Sequence, residues 1–305
     1  MKIKFIVNPI SGKGKQKDIE DSIKENLDSK KYEYSVRFTE RRGHAKELCK
    51  QAIIDGYEAV IAVGGDGTVN EIASECIGKD TVLGIIPAGS GNGFAYHLGM
   101  KKNIKASILQ LNNATIKIVD SCTANSMPFV NVSGIGFDAH IAKLFSTRKK
   151  RGFINYLMLI LKELNYKCQN YHITYDPVDE YPMLFKPNKN IVDGTITSYM
   201  IAFANSSQYG NNVKICPTAD IKDGILNCVF IKKMPKWKIL FVLAKLYTGN
   251  IHKSKYVKSI KCKRIKIRTK EPLIHVDGET HITNNNLDIK LLEKSIKILI
   301  PYEKK

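Results

Sequence analysis

Two glycine-rich turns contain the residues most suited to chemistry in this chain. The first, GGDGTVNE, runs from Gly64 to Glu71, and the second, PAGSGNGFA, runs from Pro87 to Ala95. Each follows a short apolar run and precedes a helix-like pattern. A buried strand, a glycine turn and a helix N-terminus bring several backbone N–H groups and the positive end of a helix dipole together, which favours phosphate. The tandem turns therefore predict a nucleotide whose phosphates lie between them.

Asp66 lies inside the first turn. A carboxylate at this place would repel phosphate unless a metal ion or a hydrated cation lies between the two. Neither turn matches GxxxxGK[ST] or GxGxxG, so neither standard phosphate motif explains them. Glycine turns also occur in α/β folds for purely conformational reasons, because tight turns need positive φ. Further loops are therefore needed to support a nucleotide site.

Strand-like and helix-like patterns alternate through the first part of the chain. We expect strands at KIKFIVNP, YSVRFT, EAVIAV and VLGIIPA, and helices near Gln16–Leu27 and at AKELCKQAIIDG, TVNEIASECI and NGFAYHLGM. Repeated βα units predict an α/β nucleotide-binding domain with a doubly wound parallel sheet. Ligands of such sheets lie beyond the carboxyl ends of the strands. NPISG, Thr39 and both glycine turns fall at those ends, which strengthens the nucleotide prediction.

The pattern changes near Thr123. Short β-rich segments follow at MPFVNVSGIGF, TSYMIAFAN, GILNCVFI and KRIKIRT, and they predict a largely antiparallel β-sandwich domain. Two helix-like insertions interrupt it, RGFINYLMLILKEL and PKWKILFVLAKLY, and SIKILIPYE reads as a strand that returns to the first domain. We place the α/β domain at 1–125 with the strand 291–305, and the β-rich domain at 126–290.

The chain is strongly basic, with 48 Lys and Arg against 29 Asp and Glu among 305 residues. A net charge of +19 attracts nucleic acid, anionic lipid or anionic substrates, although alternating lysines in KCKRIKIRTK can also protect a sheet edge. No helix-turn-helix, zinc-finger or aromatic RNA-binding motif supports nucleic acid. Seven cysteines without a CxxC pair indicate buried thiols in a reducing compartment. Since no signal peptide or membrane-spanning stretch is visible, we expect a cytoplasmic protein.

Taken together, the motifs resemble the diacylglycerol-kinase-like lipid kinases, a family that includes soluble bacterial diacylglycerol kinases and sphingosine kinases. The resemblance rests on NPxSG, Thr39 with GHA, GGDGTVNE, PxGSGN, GFDA, KDGIL and VDGE, in this order along almost the whole chain. GGDGT alone is shared with NAD kinases and 6-phosphofructokinases, so the combination with PxGSGN and a late DGE is the specific part. The resemblance implies that ATP binds in a cleft between an α/β domain and a β-sandwich domain.

The resemblance also implies binding sites for ATP and Mg²⁺. The matching ATP-binding residues are Asn8, Pro9, Ser11, Gly12, Thr39, Gly64, Gly65, Asp66, Gly67, Thr68, Val69, Asn70 and Ser90. Asp66 and Asp120 match a carboxylate network for the catalytic Mg²⁺. Asp223, with backbone oxygens of Asp220 and Ile225, matches a structural Mg²⁺ site. Gly93 stands where diacylglycerol-type members usually have Asp, and sphingosine kinases also have a non-acidic residue there.

We therefore expect an ATP- and Mg²⁺-dependent lipid kinase that phosphorylates a primary hydroxyl of diacylglycerol or of a sphingoid base. By the same resemblance Glu279 is the first choice as general base, with Asp277 and Asp66 as alternatives. Asp138, in GFDA, is expected either to meet the polar head of the lipid or to form a turn. The nearest alternative is an NAD kinase-like enzyme with a soluble acceptor. A basic nucleic-acid-binding protein ranks well below both.

The two helix-like insertions bear on access to a lipid. The first has bulky apolar residues nearly all round and follows the basic run Arg148–Arg151, and the second combines Trp237 with flanking lysines. Such segments suit the interface of an anionic membrane, although core helices covering the β-domain would show the same composition. We expect peripheral membrane association. The sequence specifies no oligomeric state, and a homodimer is compatible with it.

Overall fold

The computed structural model describes residues 1–13, 18–148, 153–178, 183–185 and 191–302. The chain forms two compact units, Met1–Val119 with Lys294–Lys305, and Asp120–Glu293. The sequence patterns place these boundaries at residues 125 and 290, a few residues away. The start of the predicted first helix at Gln16 and the basic residues Lys149–Arg151 lie outside the described residues.

The first unit is built on a parallel sheet. Its strands are β1 (Lys2–Val7), β2 (Glu33–Phe38), β3 (Ala59–Gly64) and β4 (Val82–Pro87), in the order β2-β1-β3-β4. The end of β15 (Asn286–Ile300) joins in parallel beside β4, where Ile298 pairs with Leu83. Every residue of β3 and β4 is buried, which requires cover on both faces of the sheet. The predicted α/β domain and its returning last strand are confirmed.

Among the described residues of the first unit, five α-helices accompany this sheet: α1 (Ile19–Asn26), α2 (His44–Ile54), α3 (Asp66–Cys76), α4 (Gly93–His97) and α5 (Ile104–Asn112). Helix α1 packs with α5, and α2 packs with α3. The helix expected at NGFAYHLGM is shorter than predicted, because the chain turns at Gly99, whose φ is +81°. Helix α5 had not been anticipated.

The second unit is an antiparallel β structure. Its further strands are β5 (Thr115–Ala124), which begins in the first unit, β6 (Met127–Phe129), β7 (Val132–Gly136), β8 (Gln169–Pro177), β9 (Val192–Ser198), β10 (Met200–Ala204), β11 (Leu226–Ile231), β12 (Val257–Arg268), β13 (Leu273–Val276) and β14 (Glu279–Ile282). The order is β14-β13-β7-β10-β11-β12-β15, with β8 between β12 and β9. The lysine-rich strand β12 pairs with β11, β15 and β8, so it is not a sheet edge.

The alternating side chains of β10 separate two cores. Ile201 and Phe203 lie in one apolar cluster, whereas Ala202 and Ala204 lie in the other. The second cluster also takes side chains from α6 (Phe137–Ser146), α7 (Phe153–Lys162) and α8 (Lys236–Thr248). Helices α7 and α8 were predicted as insertions, and α6, which begins within GFDA, was missed.

Two sequence-based expectations concern thiols and membrane spans. All seven cysteines are free and six are buried, which agrees with their interpretation as small apolar side chains. Over the part of the chain that is described, every helix is too short or too polar to cross a bilayer.

Candidate functional site

The two glycine turns of the first unit lie against each other. Gly64 ends β3, and the backbone N–H groups of Ala88 and Gly89 donate hydrogen bonds to its carbonyl at 2.8 and 3.2 Å. A Cβ atom on Gly89 would lie only 2.4 Å from the Gly65 Cα atom. The close contact therefore requires glycine. The two turns therefore meet at the carboxyl ends of β3 and β4 and contact each other directly.

Helix α3 begins directly at the first turn. Gly65 is its N-cap residue and has no side chain that could accept hydrogen bonds from the first-turn N–H groups. Such N–H groups, together with the helix dipole, form an anion site. The start of α3 therefore fits a phosphate group.

Asp66 has a local role that the sequence did not reveal. Its two carboxylate oxygens accept hydrogen bonds from the backbone N–H groups of Asn92 and Gly93, both at 2.7 Å. These donors lie at the beginning of α4, where a negative charge is favourable. Asp66 thus ties the second turn to the first. Gly93, which replaces the acid expected at this position, contributes its backbone N–H group to the same contact.

Asn92 fixes the shape of the second turn. It adopts a left-handed backbone conformation with φ +55°. Its Oδ1 atom accepts a hydrogen bond from the Gly89 N–H group at 2.9 Å, and its Nδ2 atom donates to the Gly89 carbonyl at 2.8 Å. Asn92 was not among the predicted site residues. Its signal was the Gly-Asn-Gly run, since Asn tolerates positive φ.

The loop after β1 is linked to the first turn. The backbone N–H group of Asn8 donates a hydrogen bond to the Val63 carbonyl at 2.9 Å, and the side-chain Nδ2 atom of Asn8 donates one to the Thr68 hydroxyl at 3.2 Å. Thr39 follows β2, and its N–H group donates to the Val7 carbonyl at 2.8 Å. The structure therefore brings Asn8, Thr68 and the Gly64–Asp66 turn together.

The other predicted ATP-binding residues lie on the same elements. Pro9, Ser11 and Gly12 belong to the loop after β1, and Ser90 belongs to the second turn. Gly67, Val69 and Asn70 lie in α3. The side chain of Val69 is buried, so it belongs to the core of the unit.

Glu71, at the end of GGDGTVNE, caps a second helix. Its Oε1 and Oε2 atoms accept hydrogen bonds from the backbone N–H groups of Gly43 and Ala45 at 2.9 and 3.1 Å. These donors surround the start of α2, and Gly43 has φ +81°. The GHA motif therefore positions α2 against α3, a link that sequence analysis missed.

In the second unit, Asp120 holds the loop that was predicted to bind a structural Mg²⁺. Its buried carboxylate accepts a hydrogen bond from the Gly224 N–H group at 2.9 Å, and its own N–H group donates to the Ile221 carbonyl at 2.7 Å. Asp223 accepts a hydrogen bond from the Ile225 N–H group at 3.0 Å. Burial raises the pKa of Asp223, and the charges of Asp220 and Asp120 act in the same direction.

These groups offer oxygen atoms, which are the ligands that Mg²⁺ prefers. Within the described ranges there is no group of three or more His, Cys, Asp or Glu side chains arranged to hold a metal ion. The predicted structural site does not depend on such a group, because it uses one carboxylate and two backbone oxygens. The donor chemistry of the loop therefore fits Mg²⁺.

The VDGE motif forms the turn between β13 and β14. Asp277 and Gly278 both have positive φ, +48° and +87°, as a type I′ turn requires. The Asp277 carboxylate is buried and accepts hydrogen bonds from the Val130 and Asn131 N–H groups at 3.1 and 3.0 Å. Glu279, the first residue of β14, is half-buried.

Asp138 lies in a buried polar cluster at the start of α6. Its Oδ2 atom is 3.1 Å from both His275 Nε2 and the Tyr209 hydroxyl, and its Oδ1 atom accepts a hydrogen bond from the Ala139 N–H group. Burial raises the pKa of Tyr209 well above its usual value, with a further contribution from the Asp138 charge. Sequence analysis did not connect Tyr209 or His275 with Asp138, because both lie far from Asp138 along the chain.

Known proteins match both units. The sequence model of the diacylglycerol kinase catalytic domain matches residues 2–124, and that of the YegS C-terminal NAD kinase beta sandwich-like domain matches residues 131–299. A diacylglycerol kinase of Bacillus subtilis is 24% identical over 283 residues, 90% of this chain and 89% of the relative. A diacylglycerol kinase of Mycobacterium tuberculosis is 27% identical over 243 residues, 77% of this chain and 74% of the relative.

A solved structure supports the fold. The crystal structure of a diacylglycerol kinase from Bacillus anthracis matches with a TM-score of 0.70 at 21% identity, over 99% of this chain and 97% of that one. At this identity the match shows the shared fold. The two domain matches follow one another along nearly the whole chain, in the order that the motifs predict. The chain therefore belongs to the family that joins a diacylglycerol kinase catalytic domain to a YegS-type C-terminal domain, and it is a kinase.

Proposed function

We propose that this kinase uses ATP and Mg²⁺ to phosphorylate the primary hydroxyl of a lipid, either a diacylglycerol or a sphingoid base. The observation that carries the proposal is the pair of interlocked glycine turns at the start of α3, tied together by Asp66. Relatives named diacylglycerol kinase support a lipid acceptor. They do not favour an NAD kinase-like enzyme with a soluble acceptor.

The phosphates of ATP would bind at the Gly64–Thr68 turn, where α3 begins behind a glycine N-cap and its dipole favours an anion. The remaining proposed ATP contacts come from the loops after β1, β2 and β4 and from the first turns of α3: Asn8, Pro9, Ser11, Gly12, Thr39, Asn70 and Ser90. Val69 is left out because its buried side chain belongs to the core. Phosphoryl transfer depends mainly on positioning and charge neutralisation. A rigid backbone cradle meets the first requirement.

Asp66 and Asp120 are the proposed carboxylates for the catalytic Mg²⁺. Asp223, with the backbone oxygens of Asp220 and Ile225, is proposed for a structural ion. Mg²⁺ bound with ATP neutralises the negative charge of the phosphates.

Glu279 is the proposed general base. The acceptor hydroxyl must lose its proton as it attacks the phosphorus atom, and a carboxylate within hydrogen-bond reach can take that proton. The carboxylates of Asp66 and Asp277, the alternative bases, each accept two backbone N–H groups, which gives both a structural role in addition to any chemistry. Asp138 is proposed to contact the polar head of the lipid.

A phosphorylation assay with radiolabelled ATP tests the proposed function. The acceptors are diacylglycerol, monoacylglycerol, sphingosine, ceramide and NAD, each with Mg²⁺ or with EDTA. We expect labelled product from diacylglycerol or sphingosine, and its loss in EDTA. Product from NAD alone, or the absence of Mg²⁺-dependent affinity for any purine triphosphate, would overturn the proposal.

A further inference from the structure

Helix α8 is apolar on two sides. Ile239, Val242 and Leu246 are buried, and the last two lie in the core cluster of the helical face. The other apolar side consists of Trp237, Leu240, Phe241 and Tyr247, which are 54 to 60% exposed. These four residues fall within one sector of the helix, and the buried residues fall within another. A helix that only covers a core needs a single apolar side, so the exposed side requires another explanation.

Helix α7 repeats this arrangement. Leu159 is buried in the same core cluster, whereas Ile154 and Met158 are 72 and 51% exposed. Lys236, at the start of α8, donates a hydrogen bond to the Asn165 side chain, which follows the end of α7. Both helices therefore cover the same face of the second unit and turn their exposed apolar sides outward. We call Ile154, Met158, Trp237, Leu240, Phe241 and Tyr247 the docking surface.

Basic side chains lie beside the docking surface at the start of α8. Residues 231–270 contain fourteen Lys and Arg and no Asp or Glu. Lys233 and Lys236 are exposed at the start of α8, and the Lys238 ammonium lies 3.9 Å from the centre of the Trp237 ring. A second copy of this chain would bring like charges together, which opposes a symmetric dimer through this surface.

We propose that the docking surface binds an anionic lipid bilayer. Its apolar side chains would enter the region between headgroups and acyl chains, Trp237 and Tyr247 suit the boundary between them, and the lysines would contact anionic headgroups. The biological purpose rests on the proposed function, because a lipid acceptor resides in the bilayer. The binding itself needs neither ATP nor turnover.

The only tryptophan of the chain provides a direct readout, because Trp237 lies in the docking surface. The full-length protein is titrated with vesicles of phosphatidylglycerol and phosphatidylcholine, and with vesicles of phosphatidylcholine alone. We expect the fluorescence of Trp237 to shift to shorter wavelength with the anionic vesicles and to be quenched when the acyl chains carry bromine. Vesicles of phosphatidylcholine alone are expected to give a clearly smaller change.

Matched double variants test the location of the contact by vesicle co-sedimentation. Leu240→Ser with Phe241→Ser should weaken binding by about ten-fold or more, because two exposed anchors are lost. The control is Ile116→Ser with Ile118→Ser, two side chains of similar exposure in the first unit.

A second pair of variants tests the charge. Lys233→Glu with Lys236→Glu should also weaken vesicle binding. The control pair Lys24→Glu with Lys50→Glu is exposed and changes the net charge equally, and it should have a much smaller effect. Circular dichroism checks that each variant is folded.

Three outcomes would overturn the docking proposal. They are an unchanged Trp237 emission with anionic vesicles, equal losses in the control and docking variants, and an emission shift that depends on protein concentration without lipid, which would indicate a second copy. Failure of the proposed function is distinguishable. Vesicle binding without any phosphorylated lipid would contradict the proposed function and support the docking proposal. Lipid kinase activity without vesicle binding would contradict the docking proposal alone.

Discussion

Asp66 and Asp277 share an unusual arrangement. Each is an acid of a glycine turn, and each carboxylate accepts hydrogen bonds from two consecutive backbone N–H groups of a distant segment. Buried or partly buried donors of this kind need an acceptor. Substitutions at either acid will therefore affect folding as well as any chemistry, and stability must be measured before activity is interpreted.

Asp277→Ala should lower the free energy of unfolding by about 2–4 kcal/mol, because two buried N–H groups lose their acceptor. Asp277→Asn is the matched variant. It keeps one side-chain oxygen and tolerates the φ of +48°, so its loss should be smaller. Urea unfolding measures both variants. An Asp277→Ala protein as stable as the parent would contradict the structural role.

Glu279→Gln, in contrast to Asp277→Ala, should reduce turnover and leave stability unchanged. We expect turnover to fall by about 100-fold or more, because the amide cannot accept the proton of the hydroxyl. ATP affinity, measured by calorimetry, and thermal stability should remain near the parent values. Turnover close to that of the parent would remove Glu279 from the role of base.

The sequence predicted only part of this arrangement. The Asp-Gly dipeptide at 277–278 is itself a signal for a type I′ hairpin. The partners of Asp277 lie 147 and 146 residues earlier, at Val130 and Asn131. They come within reach only because β13 pairs with β7, and a local sequence pattern does not specify such long-range pairing.

The contact between the glycine turns is tighter on the Gly89 side than on the Gly65 side, so we expect different effects of substitution at the two residues. A Cβ atom on Gly89 would lie 2.4 Å from the Gly65 Cα atom, whereas one on Gly65 would lie 3.3 Å from the Gly89 Cα atom. Gly89→Ala should therefore separate the turns and reduce ATP affinity by about ten-fold or more, and Gly65→Ala should have a smaller effect. Calorimetric titration with ATP and Mg²⁺ compares the two. Equal affinities would show that the contact does not shape the nucleotide site.

An ion pair between strands β12 and β15 predicts that the stability of the fold falls in acid. Arg264 donates two hydrogen bonds to the Asp288 carboxylate, at 2.8 and 2.6 Å. These bonds, with Lys290, hold the pKa of Asp288 below its usual value. Because the folded state lowers this pKa, the pair stabilises the fold at neutral pH and loses its effect as the pH falls below about 4.

Asp288→Asn should therefore reduce stability at pH 6 by at most about 1 kcal/mol, since the pair is partly exposed. The difference between the parent and the variant should shrink as the pH falls below about 4, which thermal unfolding over a series of pH values can measure. A difference that grows on acidification would contradict the direction of the pKa change.

Predictability also differs between helices and strands. Strands β1 to β4 were predicted because each is a short apolar run bounded by turn residues. Helix α6 was missed because its apolar residues continue directly from the strand-like run MPFVNVSGIGF, without a polar break. The two sides of α8 could not be distinguished from the sequence, because both are apolar and only packing shows which is covered.

The division of the whole chain followed from the change in its pattern. The switch from βα units to short β segments placed the boundary close to Val119, and the final apolar run indicated a return to the first unit. The net charge of +19 did not select a partner by itself. The docking surface gives the position of exposed apolar side chains beside lysines, which composition alone does not give.

Strand β15 has a consequence for biosynthesis. Its residues up to Glu293 belong to the second unit, and those from Lys294 belong to the first, where Ile298 pairs with Leu83 of β4. The ribosome must therefore synthesise the whole second unit after β4 before this edge of the first sheet receives its neighbour. Until then β4 presents an unpaired edge, to which nascent chains on the same messenger or a chaperone could bind.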